Sequence, residues 1–543
     1  QKLNDLQDNI KCGNSLIEDE DFYDKIFDWR KSFDWQTSFP QILAHQGFTV
    51  IVGNPPYVRQ ENMSSKHKKY YAQRYPTVYH SGADLYVYFY AKSLELLQPN
   101  GILAFITPNK WFKTQYGENL RKILQPFEIQ KIIDFFELPI FTDASTEPQI
   151  IILKNTQIGK EFDYFPITKE VLEDSQLADF AKKMSKKLVI NKQNLQATEW
   201  VFASPKAQQI IDKMQGKTSI KTVSLKEYTN SRIYRGITTG LNKAFIIDSE
   251  TKHKLIAKDA RSAELIKPYA QPTSIKKWEI EEKNSYFFIN TGFDVEISSE
   301  NYFAIYEYLK QFDKELTARQ DKGKTQYNLR ACDYYEEFKQ PKIIYIHTAV
   351  NHHFYYDTEG FYVNNSCYLI ADTDRFLATF LNSKLFDFYK RLHFVAYGNA
   401  EEKGRNKLDY NKMLNVPIPI LTEEQKQSFV EKIEKALEEN QKINKLTINF
   451  YKVLQSQFPY FEPTEKLTNW YTMNWRDFVK EMKKSKVDLT LRQQMGIMDM
   501  VDEYLKVAQT SLEQIDHLDR LIDQQIYALY DLTKEEIRIV ENG

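Results

Sequence analysis

Phe48-Thr49-Val50-Ile51-Val52 is a β-branched run that stops at Gly53 and is followed at once by Asn54-Pro55-Pro56-Tyr57. Consecutive prolines remove two backbone donors and fix φ twice, so neither the strand nor a helix can run on through them. The chain must therefore leave the end of a buried strand as a stiff loop. In a sheet flanked by helices, ligands gather at the carboxyl ends of the strands, where such a loop begins. At roughly 5% usage per residue, this exact tetrapeptide arises by chance in only a few chains of this length per thousand.

The surrounding pattern alternates. Asn9-Ile10-Lys11-Cys12, ending at Gly13, reads as a short strand before the Phe48 run. From Asp84, the residues Leu85, Tyr88, Phe89, Leu96 and Leu97 recur at helical spacing until Pro99-Asn100-Gly101, after which Ile102–Ile106 reads as a strand. A polar helix over about 114–124 and strands at 129–135 and 149–153 follow. Strands alternating with helices predict an α/β fold with a largely parallel sheet. After about residue 200 the pattern changes to short strands and loops (245–247, 286–289, 343–346) that close at Val416-Pro417-Ile418-Pro419. Thr422-Glu423-Glu424-Gln425 is a capping box opening a helix. Met498, Val501, Leu505, Ala508, Leu512 and Ile515 then recur at threes and fours, and Thr533-Lys534-Glu535-Glu536 caps a last helix. At 543 residues and roughly 100–200 residues per domain, three regions are expected: 1–199, 200–420 and 421–543.

Composition excludes several classes. With 42% hydrophobic and 27% charged residues and only 17 Gly and 18 Pro, the chain is neither disordered nor low-complexity. No apolar run reaches the length of a bilayer span, so no membrane partner is expected. Cys12, Cys332 and Cys367 lie far apart without metal-ligand spacing, so no metal site is expected and a reducing cytoplasm is the default. The net charge of −1 removes the global argument for a nucleic-acid partner and makes any DNA-binding face local. Basic clusters stand at Lys66-His67-Lys68-Lys69, at Lys182-Lys183 with Lys186-Lys187, and at Lys403-Gly404-Arg405-Asn406-Lys407. Each alone reads as solvated surface.

The chemistry of the tetrapeptide points to an exocyclic aromatic amine. The lone pair of such a nitrogen is delocalised into the ring, which makes it a poor nucleophile. The Asn54 side-chain oxygen and the Pro55 carbonyl can accept its two N–H bonds and favour a tetrahedral nitrogen. The Tyr57 ring offers a face on which an extruded base can stack. The same residues could also make a rigid turn with a buried tyrosine.

Here the sequence resembles the gamma-class N6-adenine DNA methyltransferases, in particular the fused restriction–modification enzymes of Type IIG. Phe33-Asp34-Trp35 with Phe39-Pro40, then Gly47-Phe48 leading to Gly53-Asn54-Pro55-Pro56-Tyr57-Val58, is similar to that family's approach to its catalytic loop. The resemblance implies a Rossmann-like S-adenosylmethionine-dependent sheet, with S-adenosylmethionine as methyl donor and double-stranded DNA as partner. It implies catalytic roles for Asn54, Pro55, Pro56 and Tyr57, and base stacking by Tyr57 and Phe141. Asn14, in Cys12-Gly13-Asn14-Ser15-Leu16, matches the residue that meets the cofactor's adenine, where many members have Asp. Phe89 matches an aromatic packed on the cofactor, although it fits a helix core equally well. Phe141 taken alone would also read as core.

The middle region resembles the family's target-recognition domain, of the TaqI-like kind. Its entry is the run from Ile233-Tyr234-Arg235-Gly236 to Ala244-Phe245, and its exit runs from Leu381-Asn382-Ser383-Lys384-Leu385 to Pro417-Ile418-Pro419. Lys66, Lys68, Lys69, Arg232, Arg235 and Lys243 are the candidate DNA contacts.

One departure is plain. The family holds S-adenosylmethionine with a Gly-rich loop, yet no two of the 17 glycines here lie two residues apart. An upstream part of the same polypeptide is therefore expected to supply that loop. A nuclease upstream, requiring Mg2+, or a non-catalytic DNA-specificity module are the alternatives to a methyltransferase alone.

Overall fold

A computed structural model of the chain describes residues 9–18, 32–135, 140–141, 147–157, 159–167, 187–217, 220–281, 285–396 and 406–542. Of the basic clusters, residues 182–186 and 403–405 lie outside these. Among the described residues no helix is long and apolar enough to cross a membrane. The chain forms two compact units, 1–209 with 390–407, and 210–389 with 408–543.

The first unit is built on a six-stranded sheet of β1 (Phe48–Gly53), β2 (Leu97–Pro108), β3 (Glu128–Asp134), β4 (Pro148–Lys154), β5 (Glu161–Pro166) and β6 (Leu188–Asn191), in the order β1-β2-β4-β3-β5-β6. The sheet is mixed rather than largely parallel. β1 runs parallel to β2 and β3 to β5, whereas β4 is antiparallel to both β2 and β3, and β6 is antiparallel to β5. The reason is visible in the chain. A parallel crossover needs a dozen or more residues, usually with a helix, and no helical repeat separates the runs at 129–135 and 149–153.

Asn9–Cys12 does not form a strand, and Ile10 is 70% exposed. Two apolar residues in a four-residue stretch hold no place in a sheet without a neighbouring ladder. The Pro99-Asn100-Gly101 break is a bulge within β2: partners on β1 jump from Leu97 to Ile102, and Asn100 takes φ 64°.

Helix α1 (Ser65–Arg74) is capped by Ser64, whose hydroxyl accepts the His67 N–H. Helix α2 (Tyr86–Leu96) runs directly into β2. Its buried Tyr86, Val87 and Tyr90 join Leu103, Phe105, Ile132 and Ile151 from the sheet in one core. Phe33, Trp35, Phe39 and Phe48 make a separate aromatic cluster with centroids 4.9–6.4 Å apart. That cluster explains the spacing of the run leading to β1: it fastens the approach to the strand.

In the second unit, β7 (Ile233–Arg235), β8 (Lys342–Ile346), β9 (Phe354–Asp357) and β10 (Cys367–Ala371) form an antiparallel sheet in the order β9-β8-β10-β7. Pro417–Pro419 pairs with Thr222–Ser224, which brings the entry and exit of the middle region together. Phe245 ends a helical turn, Asn242–Phe245, rather than starting a strand. Helix α3 (Glu423–Gln457) opens with both arms of the capping box at Thr422 and Gln425. It packs on α4 (Leu491–Leu529) in antiparallel fashion, because Ser511 bonds Glu439 while Gln525 bonds Ser428. In the apolar stripe of α4, Val501, Ala508 and Ile515 are buried, whereas Met498 is 42% exposed.

Candidate active site

The Asn54-Pro55-Pro56-Tyr57 loop leaves the carboxyl end of β1, where Gly53 pairs with Phe105 of β2. Asn54 and Pro56 are exposed, Pro55 is buried and Tyr57 is half-buried. The Tyr57 hydroxyl donates to the Ile106 carbonyl at 3.3 Å, which folds the loop back over the neighbouring strand. Burial pushes its phenol up to about 12. At neutral pH it is a fixed donor and an apolar face, not a base.

Phe141 lies on the connection from β3 to β4. The antiparallel β4 returns that connection to the strand ends beside Pro108. The Tyr57 and Phe141 rings meet edge to face, with centroids 5.9 Å apart and an interplanar angle of 70°. Two aromatics 84 positions apart in the sequence are thus in contact. A base entering between them requires one ring to turn.

Below the loop sits a buried polar network that periodicity cannot reveal. Tyr90 of α2 bonds Thr107 of β2 at 2.9 Å, and the Gln149 amide of β4 donates to both, at 3.2 and 2.8 Å. All three are buried. Beside it, Asp134 accepts from Asn109 at 2.9 Å and from the Tyr164 hydroxyl at 3.0 Å. The buried Gln149 Oε1 has no partner among the described residues, but the bonds that these two networks make tie together the strand ends beside the loop.

The loop's exit is held by Asp84, read from the sequence only as a helix start. Its carboxylate accepts the Gln60 N–H at 3.0 Å, and the Leu85 N–H donates to the Val58 carbonyl at 3.0 Å. No local signal links positions 60 and 84.

Asn14 turns the chain: its Oδ1 accepts the Leu16 N–H at 3.2 Å, and a parallel bridge joins it to Ser32. The residues around it are tied down by Trp35 Nε1 donating to Ser15 O at 3.0 Å and by the Tyr75 hydroxyl donating to Leu16 O at 2.9 Å. Phe89 is half-buried at the margin of the core.

Lys66 and Lys69 are exposed on α1, while Lys68 donates to the Gln60 side chain at 2.8 Å. In the second unit the three basic candidates differ. Arg232 is held bidentately by Glu337 at 2.7 and 2.8 Å, in a cleft that also presents Glu336 and Asp372. Arg235 is exposed, its Nε donating to Asn365 O at 3.0 Å. Lys243 pairs with Glu315 at 2.7 Å, both ends being about half exposed.

Comparison with known proteins matches this geometry to families. Residues 1–141 match the Eco57I restriction-modification methylase model, residues 268–418 the TaqI-like C-terminal specificity domain, and residues 422–526 a domain of unknown function. The chain is 30% identical over 217 residues to the Type II methyltransferase M.BstVI of Geobacillus stearothermophilus, a match covering 37% of this chain and 38% of that protein. It is 31% identical over 166 residues to the Type II restriction enzyme and methyltransferase RM.Eco57I of Escherichia coli, covering 30% of this chain and 16% of that one. The chain thus spans well under half the length of these relatives. Among solved structures, the Type IIL restriction-modification enzyme MmeI in complex with DNA aligns with a TM-score of 0.52 at 13% identity, over 88% of this chain and 59% of that one. That likeness concerns the fold alone. An Eco57I-type methylase match followed by a TaqI-like specificity-domain match is what the chain shares with the Type II restriction–modification methyltransferases it resembles.

Proposed function

We propose that this chain is a portion of a site-specific DNA adenine-N6 methyltransferase of the gamma class, working in the cytoplasm. The observation that carries this reading is the Asn54-Pro55-Pro56-Tyr57 loop at the carboxyl end of β1, with the Tyr57 ring in contact with Phe141. Asn54 and Pro55 accept the two N–H bonds of the adenine N6, which redirects its lone pair out of the ring. Tyr57 and Phe141 hold the extruded base by its faces. S-adenosylmethionine, when bound, supplies an electrophilic methyl group on a sulfonium. N6 gains one bond to carbon while the sulfonium S–CH3 bond would break to leave a neutral thioether, and N6 gives up one proton to water. No side chain of the loop has to titrate, since burial keeps the Tyr57 phenol protonated, and the transfer as written uses no metal.

Asn14, Asn54 and Phe89 would hold the cofactor. They fit in kind: Asn54 is exposed at the strand end, Phe89 keeps part of its ring accessible, and the Asn14 amide nitrogen is a donor for a ring nitrogen. The Gly-rich loop is assigned to an upstream part of the same polypeptide. What supports this is that, among the described residues, β1 pairs only with β2, and Val50 and Val52 stand 53% and 75% exposed on it. An apolar, unpaired edge of this kind calls for a cover.

Double-stranded DNA is the assigned partner. Lys66 and Lys69 on α1 and Arg235 are exposed, whereas Arg232 and Lys243 are already paired with Glu337 and Glu315. The second reading, a Type IIG enzyme with a Mg2+-dependent nuclease upstream, is favoured by the relative RM.Eco57I, which carries both activities in its name.

The test is identification of the product. The full-length protein, incubated with labelled S-adenosylmethionine and duplex DNA of many sequences, should yield N6-methyladenine within one short sequence context. Label in cytosine, or no transfer at all, would contradict the reading.

A further inference from the structure

Arg319 is 8% exposed, and no carboxylate bonds it among the described residues. Its guanidinium instead donates to three backbone carbonyls, those of Thr239, Gln326 (2.8 Å) and Asn328, and stacks 4.7 Å from the centre of the Phe245 ring. Burying a cation that no carboxylate bonds is costly even with the charge of Asp321 nearby, and its three bonds hold backbone carbonyls of this surface region. Asn328, also buried, adds four bonds: its amide donates to Thr291 O and Val295 O, and its Oδ1 accepts the Thr325 N–H and hydroxyl. The Lys324 N–H donates to Phe293 O at 2.8 Å, and the Leu329 N–H to Gly292 O at 2.8 Å. Gly323 is wedged so closely that a Cβ there would lie 2.2 Å from Phe293 O.

The loop so fixed, residues 320–330, gives only Tyr327, Asn328 and Leu329 to the interior. Its outer side carries Lys322, Lys324, Thr325 and Arg330, all exposed. Arg330 is paired with Asp321 at 3.3 Å, and Lys322 donates to Thr317 O at 2.8 Å. Lys324 contacts no carboxylate among the described residues. Through Arg319 the same clasp reaches Thr239, and Gly240 packs against Arg319 and Asp321, so the loop adjoins the turn that leads to Lys243. A rigid backbone that presents a flexible, unneutralised ammonium to solvent makes no sense as core packing. It suits a point charge held ready for a phosphate.

We propose that loop 320–330 is a preorganised clamp on the DNA backbone, with Lys324 contacting a phosphate and Arg319 acting as its positioning residue. The proposal rests on the reading of the chain as a DNA methyltransferase and adds to it a contact surface that neither the motifs nor the basic clusters mark. Since Lys324 bonds a phosphate rather than a base edge, it sets affinity and register and not sequence preference.

The experiment compares the full-length wild type with Lys324→Ala and a control, Lys254→Ala, by fluorescence anisotropy on a cognate and a scrambled duplex from 50 to 300 mM salt. Losing one phosphate contact lowers the slope of log affinity against log salt by about 0.9 and the affinity at 0.1 M salt about eightfold, on both duplexes alike. Lys254→Ala should match wild type. Gly323→Ala, whose Cβ would meet the Phe293 and Leu329 carbonyls, shifts the loop without removing charge and should weaken both duplexes, with a lowered melting temperature but a cooperative transition showing that the unit still folds. If wild type binds DNA and Lys324→Ala equals it in affinity and slope, or if the control falls as far, the clamp is overturned while the methyltransferase reading stands. If wild type fails to bind duplex DNA at all, that reading falls and takes the clamp with it.

Discussion

The Asp84 carboxylate accepts the Gln60 backbone N–H at 3.0 Å, three residues beyond Tyr57. Burial is the largest influence on Asp84 and raises its carboxyl above the ordinary range, against the opposing pull of that N–H. A carboxyl raised in the folded state binds its proton more tightly folded than unfolded. Its contribution to stability is full below its unfolded value and is lost as pH rises through the folded one. At neutral pH the desolvated charge is therefore a burden, while the acceptor itself is needed. Asp84→Asn keeps an acceptor, so its melting temperature at pH 7 should equal or exceed wild type, with the advantage vanishing below about pH 4. Asp84→Ala leaves the Gln60 N–H unpaired and should cost about 1–3 kcal/mol and slow methyl transfer. Thermal unfolding across pH, paired with turnover, separates the two; equal losses from both variants would remove Asp84 from this role.

Tyr57 combines a ring with a hydroxyl, and the two parts are separable. Tyr57→Phe removes only the bond to Ile106 O, worth about 0.5–1.5 kcal/mol, and should stay active. Tyr57→Ala and Phe141→Ala each remove a stacking face, worth roughly 1–3 kcal/mol per base. With 2-aminopurine at the target position, the fluorescence of the extruded base should rise further in the alanine variants than in wild type, because unstacked fluorophore is less quenched. An unchanged signal in both would show that these rings do not hold the base.

How much of this was legible depended on whether neighbours in space were neighbours in pattern. β1 and β2 were readable because β-branched runs are bounded by Gly and Pro, and the capping boxes at Thr422 and Thr533 because their partners lie three residues apart. Phe141 was reached by resemblance alone, since nothing local ties it to Tyr57. Asp84, the Tyr90–Thr107–Gln149 network and the Arg319 bond to Thr239 were missed because these links span 17 to 80 positions of sequence. The parallel sheet was over-read: two strand runs without a helix between them pair antiparallel. Arg232 shows the same limit, since Glu337, 105 residues away, decides whether its charge is available.

The second unit buries a charge pair that tests its core. Lys342 and Asp357 face each other across β8 and β9 with both side chains 0% exposed, 2.5 Å apart, and Lys342 also donates to Phe338 O at 2.6 Å. Burial pulls the Lys342 amine below its usual value although Asp357 opposes the shift. Asp357→Ala leaves that amine without its counterion and should cost about 3–5 kcal/mol, read as a lower urea midpoint. Because Asp357 also accepts the Glu359 and Phe361 N–H groups at 2.8 and 2.9 Å, replacing both residues by apolar ones of similar size should recover only part of the loss. A double variant as unstable as the single one would mean that the pair does more than satisfy its own charges.

The central claim is that Asn54 activates an amine and does not merely shape a turn, and Asn54→Ala in the full-length protein tests it most directly. Methyl transfer to duplex DNA and DNA affinity are measured on the same preparation. Because phosphate and recognition contacts supply most of the affinity, binding should remain close to wild type, while turnover should fall by about 10²–10³ or more, as when a preorganised hydrogen-bonding partner of a reacting group is removed. Turnover near that of wild type would contradict the account.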